Sequence, residues 1–467
     1  MTRTKATFFS ANTEPSVWLR PRRLLIAAAI FHLIVTLSIF VVGRSRAFPS
    51  TFDVNGIAFP HDSDGVEARE EIMRLGATLV RGEIREWIYS PAPFHLKLFS
   101  ICFALPGPLP KTILSAAPLN SLCYLAILAL IFNLGQEALS RRAGLLAAAT
   151  VALWPSFLMH TTQLLKDPLF LVAMLAFVIV NLRLLTRNVS WAEALGTGAV
   201  GGVIAAFIWL VRDNMGELLI ATLALGVLIQ LVRQVRQRQL KAANLVGMFL
   251  LIVISAGVMR VVPKSSRPFG NHRASRLPGV ENASTGRLQT VPRNWSESPS
   301  TSPLSPIAAH IGKARQRFVN AYPNSGSNID AQVQIRSIGD LLRYLPRAAA
   351  VGFFAPFPNM WFAAGNHVGS GARLLSGFET TAMFAVEALA LVGLWRQRRR
   401  VSAWWLALVA AMGLVSLGLV VVNVGALYRL RYVFLILLMI LAAEGAVQLW
   451  DRFTNERCDA SGSPANA

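Results

Sequence analysis

The chain has 467 residues, of which 54% are hydrophobic and 15% are charged, with 45 Lys and Arg against 24 Asp and Glu. A mean hydropathy of +0.49 excludes an ordinary soluble protein, and the length leaves room for many membrane crossings. The formal charge of +21 does not indicate a nucleic-acid partner, because Lys and Arg stand mostly at the ends of apolar runs, as membrane orientation requires. The three cysteines lie far apart and define neither a zinc site nor a disulfide framework.

Apolar runs of about 20 residues, long enough to cross a bilayer, predict ten transmembrane helices. They lie near 24–42, 112–136, 143–160, 167–186, 191–211, 214–232, 244–262, 377–395, 402–422 and 430–449. The first run exceeds the apolar part of a signal peptide and lacks a clean small-x-small cleavage site, so we expect a retained anchor. The fold class is therefore an all-α integral membrane protein.

Basic residues in alternate loops predict the orientation of the bundle. With the N-terminus inside, the positive-inside rule is satisfied by Arg141, Arg142, Arg183, Arg187, the loop 233–241 and the run RQRRR at 396–400. Counting 93–110 as a span would reverse this arrangement, so we expect an interfacial or partly re-entrant segment there. We predict a multi-pass protein of the inner (plasma) membrane, surrounded by its lipids, with both termini in the cytoplasm.

The predicted topology divides the chain into five parts. These are a cytoplasmic N-terminus (1–23), a membrane core (24–262) with a first outer loop (44–111), a late extracytoplasmic loop (263–376), the C-terminal spans (377–450) and a cytoplasmic tail (451–467). The late loop begins with a stretch rich in Ser, Pro, Arg and Asn that cannot bury a core, which predicts disorder. Aromatic and basic residues after it predict an interfacial segment.

Two glycines of the fifth span, Gly198 and Gly202, have the small-xxx-small spacing of closely packed membrane helices. A phosphate-binding loop is not favoured, because no strand and no Lys-Ser/Thr pair accompanies them. We expect a neighbouring helix to approach closely here.

An acidic cluster follows the first span in the stretch FPHDSDGVEAREEIMRLG, residues 59–76. The apolar residues from Ala68 to Leu79 mark one face of a short helix lying along the membrane surface. Asp64 caps this helix, and the glutamates after it favour its N-terminal dipole. Asp62 precedes the cap and gains nothing from the helix. It is therefore either a general base for a hydroxyl or amine acceptor, or simply a solvated carboxylate.

Further charged residues lie at the outer ends of spans, where the orientation rule makes Lys and Arg scarce. They are Lys166 and Asp167, Arg212 and Asp213, and Arg429 and Arg431. Taken singly, each fits snorkelling or local ion pairing. Together with Asp62 they converge on one face of the membrane, which favours a site for an anionic ligand.

The residues Asp62, Ser63, Gly65 and Ala68, followed by the stretch from PLNSLCYLAIL to HTTQLLKDPLF, resemble the GT-C superfamily of membrane glycosyltransferases. The similarity is to the bacterial branch related to protein mannosyltransferases and aminoarabinose transferases, and it extends over residues 20–235. In that family the first outer loop supplies a catalytic carboxylate, a second acidic position follows later, and the sugar donor is linked to a polyprenyl phosphate.

The resemblance implies roles for the outer charged residues. Asp62 matches the catalytic position and Asp167 the second acidic position, while Arg212 and the pair Arg429 and Arg431 correspond to basic residues on the donor side. Lys166 adjoins them in the substrate-binding set. Val66 replaces the usual aromatic and Asp167 has no neighbouring carboxylate, so no metal ligand is assigned, no cofactor is expected, and a divalent metal is left open.

The predicted activity is transfer of a sugar from a polyprenyl-phosphate-linked donor to a glycan, lipid or protein acceptor on the extracytoplasmic face. Two alternatives remain from the residues. One is a polysaccharide ligase or polymerase, for which the late arginines would be essential and Asp62 dispensable. The other is a transporter or flippase for lipid-linked sugars, although no inverted repeat supports it.

Overall fold

The structure, a computed structural model, describes residues 20–58, 64–105, 111–238, 241–261, 305–321, 326–362 and 370–461. Apart from two isolated bridges, these residues form helices, turns and loops. In chain order the helices are α1 (Pro21–Ser45), α2 (Asp64–Val80), α3 (Ile84–Tyr89), α4 (Phe94–Ala104), α5 (Ile113–Ala138), α6 (Arg141–Ala152), α7 (Pro155–Thr161), α8 (Asp167–Thr186), α9 (Trp191–Val211), α10 (Gly216–Gln237), α11 (Ala242–Val261), α12 (Ser305–Ala321), α13 (Ile338–Phe354), α14 (Pro358–Trp361), α15 (Ser370–Arg396), α16 (Val401–Val420), α17 (Val424–Leu430) and α18 (Tyr432–Ser461).

The predicted number of spans is confirmed. Within the described ranges nine helices are long and apolar enough to cross a membrane, and α6 and α7 bring the number to ten when this bent pair counts as one crossing. The predicted span at 143–160 is therefore not straight, since its two halves meet at 71°. Pro155 begins α7, where its missing N–H leaves no bond unmade, and it keeps the preceding Trp154 in an extended conformation.

The uncertain segment at 93–110 contains α4, which has only 11 residues. Its length of about 16 Å is well short of the roughly 30 Å hydrocarbon layer, which agrees with the prediction that it is not a span. The apolar face of α2 is also as predicted, with Ala68, Ile72 and Leu75 buried. That face packs against α4, in a cluster that includes Phe99, so the protein itself covers it.

The basic loops share one end of the bundle, which we call the basic end. Arg142 lies 3.0 Å from Asp451, and Arg183 and Arg187 lie 3.1 and 3.0 Å from Glu137. These ion pairs join loops that the sequence assigns to the cytoplasm. That assignment and the five-part division of the chain stay predictions, and the polar beginning of the late loop, through residue 304, lies outside the described residues.

The described part of the late loop is attached to the opposite end of the bundle. Arg315 of α12 is 2% exposed and donates to the carbonyls of Leu419 at 2.9 Å and Asp330 at 2.7 Å. The main-chain N–H of Ile329 donates to the carbonyl of Val422 at 2.8 Å. This loop is therefore ordered against the end of α16.

Close packing at Gly198 is confirmed. A Cβ atom added there would lie 2.3 Å from the carbonyl oxygen of Gly247 in α11, and α9 and α11 form an extensive contact. The absence of a side chain lets the two backbones meet, which is how membrane helices gain packing energy without a hydrophobic driving force.

Replacing Gly198 by Leu should lower the free energy of unfolding in detergent by at least about 1–3 kcal/mol, because backbone would have to move aside. Gly196→Leu is the matched control on the same helix, since a Cβ atom there meets nothing within 4 Å. Thermal unfolding followed by circular dichroism measures both. Equal melting temperatures for the two variants would contradict the packing.

Candidate functional site

A buried ion pair lies at the end of the bundle opposite the basic end, which we call the site end. Arg212, in the turn between α9 and α10, places a guanidinium nitrogen 2.7 Å from a carboxylate oxygen of Asp167, and their side chains are 7% and 5% exposed. Asp167 begins α8, where the helix dipole favours a negative charge. The guanidinium carbon of Arg212 lies 5.0 Å from the centre of the Phe170 ring. The pair thus fixes the start of one span to the start of another.

Other predicted residues surround this pair. Lys166 immediately precedes Asp167, and Arg429 of α17 lies within electrostatic range of Asp167. Both residues are half-buried. The structure therefore brings together four of the predicted substrate-binding residues, Lys166, Asp167, Arg212 and Arg429, although they come from separate parts of the chain.

The fifth predicted binding residue, Arg431, is directed elsewhere. It is 2% exposed, donates to the carbonyl of Ala355 just after α13, and lies 4.8 Å above the ring of Tyr428. Its Nε atom has no hydrogen-bond partner among the described residues. Arg431 joins the end of α13 to α17 and α18, and it lies beside the group formed by Lys166, Asp167, Arg212 and Arg429.

Two histidines border the ion pair. His95 of α4 is 4% exposed, and its Nδ1 atom has no hydrogen-bond partner in the described part of the chain. Burial lowers the pKa of His95 to about 3, with Lys166 and Arg212 acting in the same direction and Asp167 opposing them. His95 is therefore neutral at physiological pH. His160 of α7 lies within electrostatic range of Asp167 and Arg429.

Glu379 of α15 connects this site to the C-terminal spans. One carboxylate oxygen accepts the main-chain N–H of Ser156 at 2.7 Å, and the other accepts the hydroxyl of Tyr428. The carbonyl of Ser156 lies 2.5 Å from Nδ1 of His160, whose other neighbour is the hydroxyl of Tyr432 at 3.3 Å. Because a carbonyl only accepts, this contact places the proton of neutral His160 on Nδ1.

Asp62 lies outside the described residues. The described chain on both sides of it packs toward the segment before Asp167. The main-chain N–H of Ala58 donates to the side chain of Gln163 at 2.9 Å, and Ile72 of α2 shares an apolar cluster with Leu164. The first outer loop thus borders the segment that leads into the ion pair.

Sequence reasoning missed His95, His160, Glu379 and Tyr428. An acidic residue inside an apolar run is a signal for Glu379, which lies in the predicted span at 377–395. His160 likewise ends a predicted span. No local pattern marks His95, whose surroundings depend on the packing of α4. Among the described residues, no three His, Cys, Asp or Glu side chains form a group that could hold a metal ion.

No family model and no curated protein matches the chain. Among solved structures, the apo oligosaccharyltransferase of Archaeoglobus fulgidus is similar at 13% identity and a TM-score of 0.52, over 97% of this chain and 53% of the other. The oligosaccharyltransferase AglB of the same organism, in complex with an inhibitory peptide and a dolichol-phosphate, gives 12% identity, a TM-score of 0.47 and coverages of 96% and 52%. ArnT from Cupriavidus metallidurans bound to undecaprenyl phosphate gives 14% identity and a TM-score of 0.35, over 90% of this chain and 78% of the other.

The first similarity shows that this chain has the fold of a membrane oligosaccharyltransferase over almost its whole length, while it spans about half the length of that protein. The predicted resemblance is therefore confirmed at the level of the fold, which this chain shares with that oligosaccharyltransferase. The all-α membrane architecture predicted from the sequence is confirmed with it.

Breaking the buried ion pair should be costly. Arg212→Gln removes the cation that is hydrogen-bonded to the buried Asp167 carboxylate, so we expect a loss of about 3–5 kcal/mol in the free energy of unfolding, with partial recovery in the double variant Asp167→Asn/Arg212→Gln. Arg142→Gln is the control, since its ion pair with Asp451 is exposed and contributes less than about 1 kcal/mol. Denaturant titration in detergent measures all three. A similar loss for both single variants would contradict the importance of the buried pair.

The low pKa of His95 predicts a pH dependence of stability. Between pH 6.5 and about 3 the unfolded chain binds a proton that the folded protein does not, so this histidine makes stability fall as the pH falls through that window. The slope is about 1.4 kcal/mol per pH unit, or roughly 2 kcal/mol between pH 7 and pH 5. His95→Gln should remove that part of the slope, whereas replacing the exposed His310 should not. Parallel curves for wild type and His95→Gln would refute the assignment.

Proposed function

We propose that this protein is a GT-C-type glycosyltransferase that moves a sugar from a polyprenyl-phosphate-linked donor to a glycan, lipid or protein acceptor. One observation carries the proposal: Lys166, Arg212 and Arg429 converge around the buried Asp167 at the end of the bundle opposite the basic loops. Placing a cation at the boundary of a membrane costs free energy, and such residues are retained where they have a ligand or a partner.

The chemistry of sugar transfer requires such a cluster. When the glycosidic bond to the lipid phosphate breaks, negative charge develops on the leaving phosphate, and preorganised cations stabilise it. Arginine is suited to this task because its planar guanidinium contacts phosphate oxygens in pairs. Asp167 holds Arg212 in one orientation at 2.7 Å, so its position is set before the donor binds. We assign the donor phosphate to Lys166, Arg212 and Arg429, with Asp167 and Arg431 supporting the surrounding elements from within the protein.

The acceptor side of the reaction is assigned to Asp62. As a general base it takes the proton of the acceptor hydroxyl or amine as that atom attacks the sugar carbon. Two described contacts support this assignment, because Ala58 and Ile72, on either side of Asp62 in the chain, pack against residues 163 and 164 near the ion pair. The solved protein whose fold this chain shares is named an oligosaccharyltransferase, which agrees with a sugar-transfer reaction.

The proposed site faces the outside of the cell. The basic loops at the other end of the bundle satisfy the positive-inside rule, so the site end opens to the extracytoplasmic face of the inner membrane. A sugar carried on a polyprenyl phosphate and an acceptor in the cell envelope both meet the protein there.

Asp62→Asn should reduce turnover by about 10²–10⁴-fold with little change in expression, because the amide keeps the size of the side chain and cannot take a proton. Asp64→Asn is the matched control, since Asn is itself a good helix cap and should lower stability by well under about 1 kcal/mol. The assay is transfer of a labelled sugar from a polyprenyl-phosphate donor by the purified protein.

Three outcomes would contradict the proposal. Full transfer by Asp62→Asn together with loss in Asp64→Asn would move the base to Asp64. Unchanged transfer by both variants would remove the first outer loop from the active site and favour a ligase. A wild-type protein that binds the donor and transfers nothing would favour a transporter.

A further inference from the structure

Two short helices carry side chains to the ion pair, and neither belongs to a long, straight span. His160 lies on α7, the seven-residue half that follows the 71° bend, and Arg429 lies on α17, a seven-residue helix between α16 and α18. Helices of this length are not stable alone. Their orientation must be set by contacts with the rest of the protein.

Glu379 supplies one such contact to each helix. It is 5% exposed, it accepts the N–H of Ser156 in the first turn of α7, and it accepts the hydroxyl of Tyr428, the residue next to Arg429 on α17. Both carboxylate oxygens are thus used, and they are used on different helices. Hydrogen bonds to a charged, buried acceptor are stronger than neutral ones.

The bond to Ser156 also bears on His160. The carbonyl of Ser156 accepts from Nδ1 of His160 one turn later, 2.5 Å away. Glu379 holds the main chain at Ser156, and the carbonyl of Ser156 in turn fixes the ring position of His160. Because that carbonyl accepts from Nδ1, Nε2 is left as a proton acceptor. Tyr432 approaches the same Nδ1 atom at 3.3 Å and packs edge-on against the imidazole ring.

We propose that Glu379 is the positioning residue of the site: from α15 it holds α7 and α17 together, and so places Arg429, with His160 beside it, against the Asp167–Arg212 pair, where Arg429 binds the phosphate of a lipid-linked donor. This inference rests on the proposed function for the identity of the ligand. We assign Glu379 no contact with the phosphate, because carboxylate and phosphate oxygens are both acceptors and those of Glu379 already accept from Ser156 and Tyr428.

The chain offers two matched controls. Glu387 lies two turns further along α15, and neither of its carboxylate oxygens has a hydrogen-bond partner among the described residues. Tyr344 of α13 donates its hydroxyl to a carboxylate oxygen of Asp330 at 3.1 Å, away from the ion pair. Glu387→Ala and Tyr344→Phe therefore repeat the changes Glu379→Ala and Tyr428→Phe at positions outside the proposed clamp.

The first measurement is hydrogen exchange of the full-length protein in detergent, which requires no ligand. Glu379→Ala should speed exchange in both 155–161 and 424–430, whereas Tyr428→Phe, which removes a single hydroxyl, should speed it in 424–430 only. Glu379→Gln should restore much of the protection in 155–161, because its amide oxygen still accepts from Ser156. Exchange in 155–161 that is the same in Glu379→Ala and Glu387→Ala would overturn the clamp.

The second measurement is the dissociation constant for undecaprenyl phosphate in nanodiscs. Glu379→Ala should weaken binding about tenfold and Tyr428→Phe about threefold, with Glu379→Gln between wild type and Ala and both control variants unchanged. In an Arg429→Gln background, the effect of Glu379→Ala should shrink to under about twofold, because the two residues act on the same contact.

A merely structural role predicts a different result. If Glu379→Ala speeds exchange and leaves lipid affinity unchanged, Glu379 does not position the phosphate site and the inference is overturned. If Glu379→Ala fails to fold, the same comparison of exchange and lipid affinity is made with Tyr428→Phe, and an unchanged affinity again overturns the inference. A wild-type protein that binds no undecaprenyl phosphate would contradict the proposed function and, with it, the ligand of this inference. If the wild-type protein binds the lipid and neither variant changes its affinity, only the positioning role of Glu379 is contradicted.

Discussion

The ion pair between Asp167 and Arg212 organises the site end of the bundle. A carboxylate and a guanidinium that are both more than nine-tenths buried must remain together, because either one alone would be a buried charge without its hydrogen-bonded partner. The pair consequently fixes the start of α8 relative to the turn between α9 and α10. Lys166, His160, Arg429 and His95 then share one electrostatic environment around it.

A second constraint, on the main chain, accounts for the interrupted helices of the site. Polar main-chain groups within a membrane must be bonded inside the protein, so a bend is tolerated only where side chains replace the lost bonds. After the break before Pro155, the N–H of Ser156 donates to the carboxylate of Glu379 in α15. After the end of α13, the carbonyl of Ala355 accepts from the guanidinium of Arg431. Charged side chains from the C-terminal spans thus complete helices from elsewhere in the chain.

Much of the architecture could be predicted from the sequence, because span length and basic loops are local properties. The ten apolar runs correspond to the helices observed, and Gly198 faces a neighbouring helix as its spacing indicates. The predicted topology places Lys166, Asp167, Arg212 and Arg429 on one face of the membrane, and the packing of the helices brings them around one ion pair. Which of these charges pair is not a local property, and the sequence left local Lys/Asp and Arg/Asp pairs open where the structure joins Asp167 to Arg212.

What the sequence could not supply depends on contacts between distant residues. Ser156 and Glu379 are 223 positions apart, and only the packing of α7 against α15 brings them together. The partners of Arg431 similarly depend on where α13 ends. The interaction of Arg431 with a carbonyl is not visible in a pattern of charges, which indicates only that a cation lies near the membrane surface.

Binding of a lipid phosphate at the site end can be located by photo-crosslinking. The purified protein is irradiated with a polyprenyl phosphate that carries a photoreactive group beside its phosphate, and the labelled peptides are mapped. We expect labelling within 160–167 and 424–431, with competition by excess undecaprenyl phosphate. Competed labelling confined to the basic end, in 139–142 and 396–400, would contradict it.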